Sequence, residues 1–224
     1  MGKSMEKGAI EQFIKKMVGY LLEEQSRLDT ELNQGLSLEN YDTCLQQKNA
    51  AAVALGVIQL IDGNTDTYDA ETKIYKSIQG LQHLWGEVQE YSSEKALDKL
   101  MGMIGFIAAD ADMIPQAEMI FSYLCSKKKQ NEYPLMGMAY VKLMAGLPEV
   151  ALSLLRDKAL VLNPENELAK AFLAVAYTAL KEKQEACALT HEILANNRDQ
   201  IAMALATHVE NYCYPNASKE KKEL

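Results

Sequence analysis

The sequence predicts an all-α protein whose C-terminal half is built from repeated helical hairpins. Ala, Leu, Glu, Lys, Gln and Met dominate, all residues that favour helices, and only five prolines and twelve glycines interrupt the 224 residues. Runs of β-branched residues are scarce, and no segment has the composition of a convincing strand. In the second half, small apolar residues recur with a period of about 34 residues, which is typical of stacked helical hairpins.

The composition is that of a globular protein that enters neither a membrane nor a secretory pathway. Apolar residues make up 48% of the chain and charged residues 24%. The richest apolar run, residues 50–61, is about a dozen residues long, whereas a membrane helix needs about 18. Glu6, Glu11, Lys15 and Lys16 interrupt the apolar residues that a signal peptide would need. We therefore expect a cytoplasmic protein without membrane insertion.

Charge and cysteine spacing limit the partners and the compartment. The formal net charge is -8, and the basic clusters are a short run at residues 127–129 and the tail at residues 219–222. Because such a chain repels nucleic acid, we expect no nucleic-acid partner. The four cysteines are far apart and have neither CxxC nor metal-ligand spacing, so we expect reduced thiols at small core positions.

The residues that could carry catalysis are scattered. His83, His191 and His208 each lie on a predicted helix without a nearby nucleophile or ligand pattern. The acidic segment at residues 62–66 lacks the correctly placed glycine and the final glutamate of a calcium loop, and no phosphate-binding glycine loop occurs. The sequence therefore predicts a protein that is not an enzyme and that holds neither a metal nor another cofactor.

Two helices are predicted at the N-terminus. The first extends over about residues 5–32, and its apolar face is expected to consist of Ile10, Phe13, Ile14, Met17, Leu21 and Leu28. The second begins after Ser37 and ends at residues 62–64, where Asp, Gly and Asn break the pattern. Its apolar residues are expected to be Leu38, Tyr41, Leu45, Ala52 and Leu55.

A third helix, over residues 66–91, carries the pattern of a coiled-coil seam. Its apolar residues alternate at steps of four and three: Ile74, Ile78, Leu81, Trp85 and Val88. A boundary follows at residues 92–94, beyond which the composition changes. The predicted organisation is an N-terminal helical region at residues 1–93, a repeat domain at residues 94–214 and a flexible tail at residues 215–224.

The repeat is seen when units are started at Asp98, Glu132 and Glu167. The eighth position of each unit, where the two helices of a hairpin cross, then holds a small residue: Gly105, Ala139 and Ala174. The twentieth position, where the second helix approaches the first, holds Ala117, Ala151 and Ala186. Four residues later stand Phe121, Leu155 and Thr190, and the second unit carries about one extra residue.

These positions resemble the tetratricopeptide repeat family over roughly residues 98–197, with a further helix at residues 199–212 as a cap. The chain departs from the family at the fourth position, where tryptophan is expected and Met101, Leu135 and Lys170 stand. The resemblance implies an α-α superhelix of about three repeats, in which positions two, five, nine, twelve and thirteen of each first helix line a concave groove. The residues expected to hold a client there include Phe106, Tyr133, Met136, Tyr140, Leu143, Met144, Leu168, Ala171 and Val175.

The chain is also similar to bacterial type III secretion chaperones, both the needle-subunit class and the translocator class. Residues 104–194 carry this similarity, which includes short sequence segments such as Gly-Met-Ala-Tyr at residues 137–140 and Ala-Leu-Ser-Leu-Leu at residues 151–155. The resemblance implies a bacterial cytoplasmic chaperone whose partner is a secreted needle-like or translocator-like client, with a homodimer or a second chaperone subunit as further partners.

The chemistry of the predicted groove leaves alternatives open. A groove lined by aromatic residues and methionine fits either an amphipathic helix or an extended apolar segment. The same residues could instead form a core that is buried against the N-terminal helices. The protein could also be a scaffold or adaptor subunit of a larger assembly, joined through the seam between Ile74 and Val88.

Overall fold

A computed structural model of the protein describes residues 2–63, 93–127, 131–196 and 198–213. Regular structure in these ranges is helical, without a strand. The chain forms two compact units, Met1–Lys127 and Lys128–Leu224. The first predicted hairpin of the repeat lies in the unit Met1–Lys127, together with the N-terminal helices. Among the helices of the described ranges, none is both long and apolar enough to cross a membrane.

The first unit contains four described helices: α1 (Gly2–Asn33), α2 (Leu38–Gly63), α3 (Ser93–Asp110) and α4 (Ile114–Ser126). Helices α1 and α2 form an antiparallel hairpin, in which Lys48 forms an ion pair with Asp29. The predicted apolar face of α1 is confirmed for the described side chains, because Phe13, Ile14, Met17, Leu21 and Leu28 are all buried. The predicted helix at residues 66–91, with its seam, lies outside the described residues.

Of the five apolar residues predicted along α2, three are exposed, whereas the apolar run at residues 50–61 is largely buried. Leu38 is 85% exposed, Tyr41 and Ala52 are also exposed, and Leu55 alone of the predicted set is buried. The buried residues of the helix lie mostly in the apolar run at residues 50–61: Cys44, Gln47, Ala50, Ala51, Ala54, Leu55, Val57, Ile58 and Ile61. Helix α2 packs on α1 and also on α3 and α4, whereas Leu38, Tyr41 and Ala52 face solvent.

The second unit contains two further hairpins and a final helix. Its elements are α5 (Glu132–Met144), α6 (Pro148–Leu154), a π-helical turn (Leu155–Ala159), α7 (Leu160–Leu162), α8 (Glu167–Ala179), α9 (Lys183–Asn196) and α10 (Gln200–Cys213). The second helices of the three hairpins, α4, α6 and α9, begin at Ile114, Pro148 and Lys183, so the spacing is 34 and then 35 residues. Helix α10 packs on both α8 and α9. The predicted helical periodicity is therefore present in the backbone.

Close packing inside each hairpin uses the small residues that the sequence indicated. Gly105 on α3 is buried against the ring of Phe121 on α4, and the residues that correspond to it, Ala139 and Ala174, are also fully buried. Ala117, Ala151 and Ala186 are fully buried as well. Small side chains at these positions allow the two helices of a hairpin to approach closely.

The three hairpin turns share one backbone conformation. Asp112, Gly146 and Lys181 occupy the same phase of the repeat, and all three have a positive φ, of 62°, 72° and 65°. In each turn the next residue donates its backbone N–H to the carbonyl five residues earlier: Met113 to Ala108, Leu147 to Lys142 and Glu182 to Tyr177, at 2.8, 2.9 and 2.9 Å. This is the Schellman arrangement, which pairs the last carbonyls of the first helix.

The extra residue of the second repeat is located in the π-helical turn. Phe121 and Leu155 are still 34 residues apart, whereas the helix N-caps Asn131 and Asn166 are 35 apart, so the insertion lies between Leu155 and Asn166. A π-turn accommodates one more residue per turn than an α-helix does. The insertion is therefore absorbed before the next hairpin begins.

An acidic residue at position one of each unit ties the hairpin to the segment that follows it. Both carboxylate oxygens of Asp98 accept from Lys127 Nζ at 2.6 Å. Glu132 Oε1 accepts from the side-chain amides of Asn163 and Asn166, at 2.8 and 3.3 Å. Glu167 Oε2 accepts from the backbone N–H of Arg198 and of Asp199, at 3.3 and 2.9 Å. We call Asp98, Glu132 and Glu167 the acidic latches.

The cysteines differ from expectation both in burial and in redox state. Cys44 is buried on α2, where burial raises the pKa of its thiol, but Cys125 carries its thiol at an exposed position, so the expected core position is wrong there. Cys187 on α9 is disulfide-bonded, so the expectation of four reduced thiols is wrong. The expectation rested on the long sequence separation of the cysteines, but packing of neighbouring helices brings distant parts of a chain together.

Candidate protein-binding surface

The predicted groove residues of the second unit lie on the first helices of its two hairpins, α5 and α8. Counted from the N-caps Asn131 and Asn166, positions two, five, nine, twelve and thirteen have the same exposure on both helices. Position five is buried, position thirteen is exposed, and the other three are partly buried. The two helices therefore expose the same positions to solvent, although the residues at these positions differ.

Tyr140, at position nine of α5, connects the stripes of the two helices. Its ring lies 5.3 Å from that of Phe172 on α8, with an angle of 33° between the ring planes. Because Phe172 is buried, it holds Tyr140 at the seam between the helices. Tyr133, seven residues earlier on α5, is so enclosed that burial raises its pKa to about 12. The Tyr140 side chain is thus held by packing before any partner binds.

Two predicted groove residues lie inside the unit. Met136 is 4% exposed, and Ala171 is fully buried in a cluster with Ile193, Ala202 and Ala206. Both stand at position five, which on α8 faces the neighbouring helices. The accessible part of the predicted set on these helices is Tyr133, Tyr140, Leu143, Met144, Leu168 and Val175.

Helix α10 continues the series of first helices. Its N-cap is Asp199, whose Oδ1 accepts from the backbone N–H of Ile201 and of Ala202, at 2.8 and 2.9 Å. Asn131 caps α5 and Asn166 caps α8 in a similar way. Counted from Asp199, the five groove positions of α10 are all exposed: Ile201, Ala204, His208, Asn211 and Tyr212. The sequence indicated only a capping helix here, so these residues were missed, although Asp199 marks the register.

The stripes on α5, α8 and α10 contain no charged residue. Five positions on each of three helices give fifteen residues. Met136 and Ala171 are buried, and none of the thirteen accessible residues is Asp, Glu, Lys or Arg. With 24% of the chain charged, roughly three charged residues would be expected among thirteen. Two polar members bond to their own helices: Thr178 Oγ1 donates to the Ala174 carbonyl at 2.9 Å, and Asn211 Nδ2 donates to the Thr207 carbonyl at 3.2 Å. We call the thirteen accessible positions the uncharged face.

Phe106 belongs to the first unit, apart from the other predicted groove residues. It stands on α3, partly buried, and its ring packs edge-on against Phe121, with 5.1 Å between the centroids and 71° between the planes. The predicted seam residues Ile74, Ile78, Leu81, Trp85 and Val88 lie outside the described residues. In the part of the chain that the structure describes, no three His, Cys, Asp or Glu residues are grouped so that they could hold a metal ion.

Comparison with known proteins identifies no relative of this chain. No family model matches the sequence, and neither the curated proteins nor the solved structures contain a match to the chain. The surface is therefore interpreted from its own residues, their exposure and their hydrogen bonds.

Proposed function

We propose that the protein is a binding module for another polypeptide, and that the uncharged face of the second unit is its binding surface. In this proposal it acts as a cytoplasmic chaperone of the tetratricopeptide type, similar to type III secretion chaperones, and holds an apolar segment of a secreted client. The observation that supports it most is a face of thirteen accessible positions without one charge, on a chain with a net charge of -8. Solvent-facing helix surfaces are ordinarily polar, and exposed apolar faces mark interaction sites.

The residues of the face suit a chaperone. Tyr140 supplies a large apolar area that its packing on Phe172 already holds in place, which lowers the entropy lost on binding. Met144 is 39% exposed, and its flexible, polarizable side chain adapts to side chains of different shape. A fixed aromatic residue beside an adaptable methionine favours tight binding to segments that share apolar character without sharing one sequence.

A scaffold role is the second candidate. The exposed leucines of the first unit favour it, because Leu38 begins α2 with most of its side chain in solvent and Leu22 and Leu60 are also exposed. In that case the protein would join a permanent assembly, and the uncharged face of the second unit would not determine its partners. The predicted seam between Ile74 and Val88 belongs to this hypothesis.

The two hypotheses are separated by changing the uncharged face. The wild-type chain and a Tyr140→Glu/Met144→Glu variant are used to capture partners from a lysate of the source cells, and the partners are identified by mass spectrometry. An apolar partner that is lost from the variant supports the chaperone proposal, since a buried unpaired carboxylate opposes docking. Partners that bind both chains equally would favour the scaffold.

Two controls protect this experiment. Because Tyr140 packs on Phe172, the single variant Met144→Glu is examined beside the double variant, and circular dichroism establishes that each is folded. Ala188 is exposed on α9, outside the uncharged face, so Ala188→Glu adds the same charge elsewhere and should retain the partner. A captured partner is then co-expressed with each chain, and its soluble yield reports whether binding prevents its aggregation.

A further inference from the structure

We infer that the segment bound by the uncharged face is an α-helix with an apolar side, and that α10 forms one wall of the site. The inference rests on the proposed function and specifies which of the two client conformations, helical or extended, this surface accepts. It also adds Ile201, Ala204 and Tyr212 to the contact residues.

The lack of charge on the face restricts the partner first. A partner that covers the uncharged face must bury its contacting groups against Tyr, Leu, Met, Val and Ile side chains that offer no opposite charge. Burying an unpaired charge is strongly unfavourable, so the contacting side of the partner must itself be uncharged. Many conformations could satisfy this requirement, and the choice among them follows from hydrogen bonding.

The backbone of the partner is restricted next. An extended segment presents N–H and C=O groups along its whole length, and each group that loses water without gaining a partner destabilises the complex. Thr178 and Asn211 both donate to carbonyls of their own helices. The other polar side chains of the face are Tyr133, Tyr140, His208 and Tyr212, far fewer groups than the two per residue that an extended segment presents. A helix pairs its backbone internally and asks only for apolar contact along one side. The face therefore selects a helix.

Helix α10 extends the face beyond α8. Ile201 is 63% exposed, although it stands at the position that Tyr133 and Leu168 occupy on α5 and α8, where both are partly buried. Ala204 and Tyr212 are exposed at the corresponding later positions. The helix packs on its neighbours in the second unit through its buried residues Ala202, Ala206 and Val209, which leaves the exposed ones available. A partner helix of several turns would reach them.

The test uses two synthetic peptides of identical composition and the full chain. One peptide places Leu and Met at i, i+3, i+4 and i+7 and forms an amphipathic helix, whereas the other alternates the same apolar and polar residues, which favours an extended strand. Binding of each fluorescein-labelled peptide is measured by anisotropy. We expect the helical peptide to bind at least about tenfold more tightly than the alternating one. Equal affinity, or no binding of the helical peptide, would overturn the inference.

Substitutions at two matched alanines test whether α10 contributes to the binding site. Ala204 on α10 and Ala188 on α9 are both exposed, so Ala204→Glu and Ala188→Glu introduce the same carboxylate at comparable cost to folding. We expect Ala204→Glu to weaken binding of the helical peptide about tenfold or more and Ala188→Glu to leave it unchanged. If Met144→Glu weakens binding while Ala204→Glu does not, the proposed function stands and the role of α10 is refuted. If neither weakens binding, both proposals fail.

Discussion

Gly105 and Phe121 are packed so closely that a side chain at residue 105 has no room. A Cβ built on Gly105 would lie 2.7 Å from Cε2 and 2.9 Å from Cζ of the Phe121 ring. The ring is fully buried and also packs edge-on against Phe106. Because the ring is enclosed on both sides, the distance between α3 and α4 depends on the lack of a side chain at residue 105.

Gly105→Ala should therefore destabilise the protein, although alanine favours helices. We expect a loss of about 1–3 kcal/mol in the free energy of unfolding, measured by urea denaturation. Gly56→Ala on α2 is the control, since a Cβ at this residue would meet nothing within 4 Å, and it should be neutral or stabilise by about 0.5–1 kcal/mol. Equal changes in the free energy of unfolding for the two variants would show that the Phe121 ring moves to make room for the added Cβ.

The left-handed turns predict opposite effects for two substitutions. Gly146→Ala should destabilise by about 1 kcal/mol, because φ at this residue is 72° and a Cβ is disfavoured there. Lys181→Gly should stabilise by a few tenths to about 1 kcal/mol, since lysine at φ 65° is strained. Thermal unfolding of both variants shows whether each substitution lowers or raises the stability. A stabilising Gly146→Ala would contradict the shared turn conformation.

The latch at Glu132 predicts a dependence of stability on pH. Hydrogen bonds from Asn163 and then from Asn166 hold the pKa of Glu132 below its ordinary value of 4.5. A carboxyl whose pKa is lowered by folding stabilises the fold fully above its unfolded pKa, and this stabilisation is lost as the pH falls through the lower folded pKa. Glu132→Ala should therefore cost about 1 kcal/mol at pH 7 and progressively less below pH 4.5.

This dependence is measured as the difference in urea midpoint between the wild type and Glu132→Ala at several pH values. Glu149→Ala serves as the control, because Glu149 is exposed on α6. A difference that stays constant between pH 7 and about pH 3 would mean that the Glu132 carboxylate does not contribute as an anion.

The ion pair between Lys170 and Glu192 predicts that removing one partner has a different effect from removing the other. Lys170 Nζ lies 2.6 Å from Glu192 Oε1, and the lysine is only 8% exposed, whereas the Glu192 side chain is 46% exposed. Lys170→Met removes the buried charge and should be neutral or mildly stabilising, whereas Glu192→Leu leaves the ammonium unpaired and should cost roughly 1 kcal/mol or more. Chemical denaturation of both variants tests the asymmetry, and the opposite order would refute it.

The π-helical turn predicts that one residue can be removed from the second repeat. Without Asp157, residues 155–162 can form a regular helix in a repeat of 34 residues, like the first, so Tm should change by no more than about 4 °C. Deleting Ala176 from the regular helix α8 rotates every later residue by about 100° and should abolish cooperative unfolding. Loss of cooperativity in both deletions would contradict this explanation of the turn.

Much of the helical organisation could be predicted, because the small residues at Gly105, Ala139 and Ala174 report a local requirement for close approach. The end of α2 and the position of α10 were also predictable, since an Asp-Gly-Asn break and a capping aspartate act within a few residues. The face of α2 was not, because Leu38 and Tyr41 are as apolar as the residues that pack, and sequence does not indicate which apolar stripe meets a neighbour.

The candidate surface was predictable in part. The residues on α5 and α8 followed from the register, but the burial of Met136 and Ala171 depends on which helices stand beside them. Positive φ at Asp112 and Lys181 had no signal, since neither residue is glycine. The absence of charge at the five face positions of α10 was visible in the sequence once Asp199 had set the register.

The repeated turn has a consequence for engineering. Asp112, Gly146 and Lys181 stand in connectors with the same sense of φ and the same i to i-5 hydrogen bond, while the residues around them differ. Because the three turns have the same backbone geometry, we expect that the turn of one hairpin can replace that of another without changing the angle between the two helices. Side chains on the hairpins can then be redesigned to bind a chosen peptide while the turns are left unchanged.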